Sequence, residues 1–174
     1  MFAAVWADRA ARRPSFAAEA PHWIITMLGG VLLLGVRTHD HQGPGRLWDI
    51  DEAFGWSLVA VAMLGFGFCW WARLHLGRLW SGTVTRKVDH HIVDTGPYAL
   101  VRHPIYTGII LAAFATGALK GTIVALAGAA TMTLGFWTKA RLEERFLRQE
   151  MGSDAYDAYS RRTPMIVPSI PRRG

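Results

Sequence analysis

The chain alternates between long apolar runs and polar segments. The apolar runs cover residues 21–36, 53–72, 105–119 and 122–138. A helix that crosses a bilayer takes about 17–25 apolar residues, so the second and fourth runs are long enough and the other two are somewhat short. Ser57 is the only clearly polar residue between positions 54 and 71, whereas a helix of a soluble bundle has a polar face. We therefore predict an all-α integral membrane protein with about four transmembrane helices.

The basic residues are distributed unevenly between these runs. Of the 19 Lys and Arg residues, three precede the first run, five lie between the second and third, and eight follow the fourth. The two remaining loops contain two and one. Because cytoplasmic loops are enriched in Lys and Arg, we expect both termini in the cytoplasm, and the inner membrane as the location if the cell is bacterial. This orientation accounts for the formal net charge of +6, so no nucleic-acid partner is expected.

The connections divide the chain into three parts. We expect residues 1–20 to form a cytoplasmic N-terminal segment, residues 21–72 to form two transmembrane helices, and residues 73–174 to form a larger C-terminal part. No small-residue cleavage site follows the first run, so we expect that run to be a retained signal anchor. Only Lys120 and Gly121 separate the third and fourth runs, which predicts an antiparallel helical hairpin. The small residues along this hairpin favour close packing of helices. We expect such packing to account for each of its glycines except Gly108.

Most of the titratable and aromatic polar residues lie in two segments, 76–108 and 139–168. In the first segment, residues 94–97 (Asp-Thr-Gly-Pro) predict a turn, and Pro104 is suited to the first position of the third helix. The free N–H groups at that helix start favour an anion nearby. Arg102, His103 and Tyr106 lie at the same end, with His103 and Tyr106 on one helix face. Taken singly, each of these residues is also typical of a membrane interface.

The second segment continues the fourth helix beyond the apolar run. Two pairs spaced by four residues, Lys139 with Glu143 and Glu144 with Arg148, predict a solvated helix with salt bridges. Gly152 is expected to end this helix, and a short helix containing Tyr156 and Tyr159 is expected to follow it.

Two sequence blocks resemble a known family when they are taken together. The blocks are HIVDTGPYALVRHPIYTG and, after the hairpin, RLEERFLRQEMGSDAYDAYSRRTP. They are similar to the isoprenylcysteine carboxyl methyltransferase family, which is related to membrane phospholipid methyltransferases, and the similarity covers about residues 76–168. It implies that residues 73–174 are a methyltransferase core, in which a cytoplasmic loop helps to bind S-adenosylmethionine at the membrane face. No GxGxxG motif of the soluble nucleotide-binding type is present.

The resemblance also implies which residues contact the cofactor. They are His90, Ile92, Val93, Tyr98, His103, Pro104, Ile105, Tyr106 and Glu143. His103 and the helix start suit the carboxylate of the cofactor, and Glu143 suits its ammonium group or ribose hydroxyls. The ring of Tyr98 or Tyr106 can pack against the adenine or the sulfonium.

Three further residues are candidates for the catalytic side of the site. Family members often have Arg where this chain has Lys139, and that Arg is associated with the substrate carboxylate. Lys attracts an anion but lacks the bidentate fork of Arg, so Arg102 is a second candidate for the substrate anion. Glu144, like His103, is a candidate base if the methyl acceptor is an amine.

The reaction that the resemblance implies is carboxyl O-methylation of a prenylcysteine-like or other lipophilic substrate. Phospholipid N-methylation and small-thiol S-methylation on the same scaffold are alternatives, and an NADPH-dependent intramembrane reductase is a more distant one. The expected partners are a lipophilic or lipid-modified substrate and membrane lipids, and the protein is expected to be a monomer or a homodimer. No metal site is expected, because no third ligand accompanies the pairs His39/His41 and His90/His91.

Overall fold

The computed structural model describes residues 16–35, 45–77, 93–151 and 153–168. These residues form six helices: α1 (Phe16–Gly35), α2 (Glu52–Leu76), α3 (Pro97–Leu100), α4 (Pro104–Lys120), α5 (Ile123–Met151) and α6 (Ser153–Arg162). Within the described ranges the only β-type pairing is an isolated bridge between Arg46 and Thr122. The all-helical prediction is therefore confirmed for this part of the chain.

Three of these helices are long and apolar enough to cross a membrane. The apolar spans are Ala17–Gly35, Glu52–Leu76 and Ile123–Gln149, and the apolar helix α4 is shorter, with 17 residues. The chain was expected to have about four spans, with the third run somewhat short, and α4 is the helix that this run forms. Large apolar side chains on α1, α2 and α5 point outward, among them Ile24, Leu64, Trp70 and Leu134. Such a surface is suited to contact with lipid.

The helix boundaries have local causes. Asp51 precedes α2, and its side chain accepts a hydrogen bond of 2.9 Å from the backbone N–H of Phe54. Pro104 is the first residue of α4, as predicted, because its fixed φ suits a helix start and it has no N–H to satisfy. Gly121 ends α4 in the left-handed conformation with φ 63°, which glycine adopts at little cost. The chain then turns directly into α5, so the predicted helical hairpin is present.

The helices pack in two closely spaced pairs, α1 against α5 and α2 against α4, and α4 also contacts α5. A Cβ atom at Gly65 would lie 2.6 Å from the carbonyl oxygen of Gly108. A Cβ atom at Gly108 would collide with the carbonyl oxygen of Gly65 and with Cys69 Sγ. The expectation that packing does not account for Gly108 is therefore wrong, because this residue allows α2 and α4 to approach closely.

Candidate active site

Polar side chains from α4 and α5 meet at the end of the bundle where α4 begins. The rings of His103 and Tyr106 are parallel, with centroids 5.3 Å apart and an interplanar angle of 4°. Tyr106 donates a hydrogen bond of 2.7 Å to Glu143 Oε1. His103 lies between two carboxylates, with Nδ1 3.4 Å from Glu143 Oε2 and Nε2 3.3 Å from Glu144 Oε1. The shared face predicted for His103 and Tyr106 is confirmed, and it points at α5.

The two carboxylates set the protonation of His103. Burial alone would lower the pKa of this imidazole, but the hydrogen bonds and the charges of Glu143 and Glu144 outweigh it and raise the pKa above its ordinary value. The positively charged form of His103 is therefore favoured. It neutralises part of the negative charge that two adjacent glutamates place in a buried region.

Lys139 lies one helical turn before Glu143, and its side chain is only 8% exposed. Its Nζ is 5.3 Å from the centroid of the Trp23 ring and 5.4 Å from that of Tyr106. Both distances are within the range of a cation–π interaction. Lys139 is thus placed between α1 and α4, beside Glu143, and its contact with a substrate anion stays a prediction.

Arg102 is the second cation of the region, and its contacts lie within the chain. Its Nε donates to Glu144 Oε1 at 2.8 Å, and one terminal nitrogen donates to the carbonyl oxygens of Ser160 and Thr163. Arg102 thereby connects α5, the end of α6 and the residues that follow it. The expected pair between Glu144 and Arg148 is not formed, because Glu144 binds Arg102 and Arg148 binds Asp157 at 2.7 Å.

The segment after α6 crosses the start of α4. The backbone N–H groups of Arg102 and His103 donate to the carbonyl oxygens of Pro164 and Met165, at 2.9 and 3.0 Å. The hydroxyl of Thr107 donates to the carbonyl oxygen of Ile166 at 2.6 Å. Some of the hydrogen-bond donors around this helix start, where an anion was expected, therefore already have partners within the chain.

Tyr98 lies beside the cluster on the short helix α3 and is buried. Its ring stacks on that of His75, with centroids 6.4 Å apart, and its carbonyl oxygen accepts a hydrogen bond of 2.8 Å from the Tyr159 hydroxyl. Burial raises the pKa of Tyr98 well above its ordinary value and that of Tyr159 to about 12. Both phenols therefore stay neutral, which suits Tyr98 to an apolar ring contact.

The other predicted cofactor residues that the structure describes lie around the same end of the bundle. Pro104 is fully buried at the start of α4, and the Ile105 carbonyl oxygen lies 3.2 Å from Cys69 Sγ. Val93 is half-buried in the segment before α3. His90 and Ile92 lie outside the described residues. Within the described residues, no group of three or more His, Cys, Asp or Glu side chains is placed to hold a metal ion.

The sequence motifs do not identify the contribution of α1. Trp23, which reads as an interface residue, packs on the cation of Lys139, and the neighbouring His22 is buried. A signal for this face is nevertheless present in the sequence. Glu19, His22 and Thr26 are polar residues spaced by three and four positions in an otherwise apolar helix, so they share one side of it.

Comparisons with known proteins identify the family of the chain. The family model of the isoprenylcysteine carboxyl methyltransferase (ICMT) family matches residues 58–149. The chain is 28% identical to the nickel-cobalt-cadmium resistance protein NccN of Alcaligenes xylosoxydans xylosoxydans, over 91% of this chain and 73% of that protein. It is 34% identical to protein-S-isoprenylcysteine O-methyltransferase of Schizosaccharomyces pombe, over 58% and 43% of the two chains.

A third relative has a different acceptor in its name. The chain is 39% identical to methanethiol S-methyltransferase 2 of Bradyrhizobium diazoefficiens, over 83% of this chain and 58% of that protein. The chain thus spans about half of the length of two of these three relatives and nearly three quarters of the other. The family match covers more than half of the chain and contains His103, Tyr106, Lys139 and Glu143. The chain belongs to the isoprenylcysteine carboxyl methyltransferase family and is a membrane methyltransferase.

Proposed function

We propose that the protein uses S-adenosylmethionine to methylate the carboxylate of a lipophilic, prenylcysteine-like molecule at the cytoplasmic face of the membrane. The observation that carries this proposal is the cluster of His103, Tyr106 and Glu143, with Lys139 one turn away. The cluster lies at the end of a bundle whose outer surface is apolar. A charged cofactor and a lipid-like substrate can both reach such a position, one from water and the other from the bilayer.

The side chains of the cluster fit the chemical groups of the cofactor. Glu143 offers a buried carboxylate for an ammonium group or hydroxyls. Tyr106 offers an aromatic face, and Tyr98 offers a second one nearby, for a sulfonium or an adenine ring. The pKa of His103 is raised by Glu143 and Glu144 in spite of its burial, and the charged form that this favours suits a carboxylate. When bound, the cofactor supplies an electrophilic methyl group.

The rest of the reaction depends on the residues around the methyl acceptor. A carboxylate is already ionised at neutral pH, so the protein needs no general base for this substrate. Lys139 attracts the carboxylate, and the rings of Trp23 and Tyr106 pack around the cation. Catalysis then consists of positioning and the exclusion of water.

We assign a positioning role to Arg102, instead of the contact with substrate that the sequence suggested as an option. Its guanidinium is engaged by Glu144 and by two carbonyl oxygens, which supports this assignment. Glu144 in turn faces His103. We therefore propose that Arg102 and Glu144 orient the imidazole of His103, and that Lys139 is the cation for the substrate.

A second candidate function is S-methylation of a small thiol. The 39% identity to methanethiol S-methyltransferase 2 favours it. A thiol must lose its proton before or during methyl transfer, whereas a carboxylate does not. Incubation of membranes with cofactor labelled in the methyl group separates the candidates. Base-labile label indicates an ester, volatile label a methylated thiol, and base-stable label in lipid an amine.

The cofactor site is tested by replacing Glu143 with Ala and with Gln. We expect both variants to bind S-adenosylhomocysteine about 10- to 100-fold more weakly in isothermal titration, because a hydrogen bond to a charged group is lost or weakened. Glu52→Gln is the matched control. Glu52 is the first residue of α2, at the end of the bundle opposite the site, so this variant should bind normally. Unchanged affinity in the Glu143 variants of the folded protein contradicts the assignment of this site.

A further inference from the structure

Helix α1 carries a polar stripe that the proposed function does not use. Glu19, His22 and Thr26 are all buried, although the helix is otherwise apolar and lies in a candidate membrane span. His22 is only 4% exposed, and its Nε2 has no hydrogen-bond partner among the residues that the structure describes. A buried polar atom without a partner costs free energy. An ionisable residue inside a membrane helix is accordingly a candidate functional residue.

The packing of α1 against α5 shows what His22 faces. A Cβ atom at Gly29 would touch Met132, and one at Gly135 would touch Thr26, so the helices are antiparallel and in register at these positions. One helical turn before Thr26 is His22, and one turn after Gly135 is Lys139. The continued register places His22 opposite Lys139, at the site.

Two further observations agree with this placement. The Nζ of Lys139 lies over the ring of Trp23, the residue that follows His22, and the rings of His22 and Trp23 are 5.6 Å apart. His22 is thus a buried polar group in the neighbourhood of Lys139.

We propose that His22 is a specificity-determining residue for the methyl acceptor, and that its Nε2–H donates a hydrogen bond to the acceptor carboxylate that Lys139 attracts. This inference rests on the proposed function. An ammonium group is a single point charge, whereas a carboxylate has two oxygens and is held best by two donors. Lys139 supplies one donor from α5 and His22 supplies the other from α1. The contribution comes from outside residues 58–149, the range that the family model matches.

The test compares His22→Ala with His22→Gln, using N-acetyl-S-farnesylcysteine as the carboxylate probe. We expect His22→Ala to raise the KM for this probe by about tenfold or more, the effect of losing a hydrogen bond to a charged group. Its kcat and its affinity for S-adenosylhomocysteine should change little. His22→Gln retains an N–H donor, so its KM should lie close to that of the unaltered protein. A residue with only a structural role would not produce this combination.

Ile24→Ala is the matched control, because Ile24 lies on the exposed, lipid-facing side of the same helix. It should leave KM, kcat and the melting temperature in detergent near their original values. If the unaltered protein forms no base-labile ester from the probe, the proposed function fails, and this inference fails with it. If the ester forms and the folded His22→Ala and His22→Gln variants keep the original KM, the inference alone is overturned. Equal KM increases in the two variants also overturn it, because loss of the N–H donor is then not what raises the KM.

Discussion

Two regions of α4 are held in place by opposite means. At its start, His103 and Arg102 are fixed by charges and hydrogen bonds with Glu143, Glu144 and the segment after α6. Further along, Gly108 is fixed by the absence of a side chain, because α2 crosses it at Gly65 without room for a Cβ atom. The start of α4, here called the polar end, is therefore sensitive to changes of charge. The contact of α2 and α4 at Gly65 and Gly108, here called the crossing, is sensitive to side-chain size.

This difference follows from the surroundings of each region. Apolar side chains gain little by leaving lipid for another apolar surface, so helix association in a membrane depends on close packing of small residues. The polar end is buried by α6 and the segment after it, and a buried charge is tolerated only when it is paired. The methyl transfer proposed above, between a charged cofactor and a lipophilic substrate, uses both properties in one molecule.

The largest expected effect is the loss of the buried charge pair at the polar end. Arg102→Ala leaves Glu144 without its guanidinium partner, and the two side chains are only 10% and 13% exposed. Because breaking a buried pair costs about 3–5 kcal/mol, the melting temperature in detergent should fall strongly. The melting temperature of Arg102→Lys should lie between those of Arg102→Ala and the unaltered protein, since Lys lacks the fork that serves the two carbonyl oxygens.

Arg148→Ala is the control for this prediction. Arg148 also binds an acidic partner, Asp157 at 2.7 Å, but its side chain is 56% exposed. An exposed pair contributes only about 0–1 kcal/mol. If the two alanine variants lose equal stability, burial of the Arg102 pair is not what stabilises this end.

A smaller effect is expected at the crossing of α2 and α4. Gly65→Ala places a Cβ atom 2.6 Å from the carbonyl oxygen of Gly108, so the helices must separate. We expect a loss of about 1–3 kcal/mol, measured as a lower melting temperature. Gly67→Ala, two residues away, meets nothing within 4 Å and should be neutral or slightly stabilising. Equal losses in both variants argue against a size-limited crossing.

The sequence predicts the fold better than it predicts the site. The apolar runs give the helices, Pro104 gives the start of α4, and Gly121 gives the hairpin, because each depends on a few adjacent residues. The shared face of His103 and Tyr106 is also local. The partners of these residues are not local, since Arg102 binds Glu144 in α5 and carbonyl oxygens near the end of α6. A pattern of i,i+4 charges cannot reveal that choice.

The glycines illustrate the same limit. A repeat of small residues indicates close helix packing but does not say which helix is the partner. Gly108 of α4 contacts Gly65 of α2, so its role depends on a contact between residues 43 positions apart in the sequence. The role proposed for His22 likewise depends on the register of α1 against α5. Long-range contacts therefore decide both the crossing and the site.

The smallest expected effect is a pH dependence confined to the polar end. His103 faces Glu143, Glu144 and the ring of Tyr106, and its pKa is raised in the folded protein. Its charged form therefore stabilises the fold. That contribution is complete below the ordinary pKa of about 6.5 and is lost as the pH rises through the folded-state pKa.

The measurement is the melting temperature of the unaltered protein and of His103→Gln, taken from about pH 5.5 to about pH 9 to bracket the titration of an imidazole. Gln keeps a hydrogen-bond donor but carries no charge at any of these pH values. The unaltered protein should exceed the variant most at the acidic end, and the difference should shrink as the pH rises. Gly65→Ala should show a constant difference over the same range, because a steric conflict between helices does not titrate. A constant difference for His103→Gln as well means that the polar end is held by shape and not by charge.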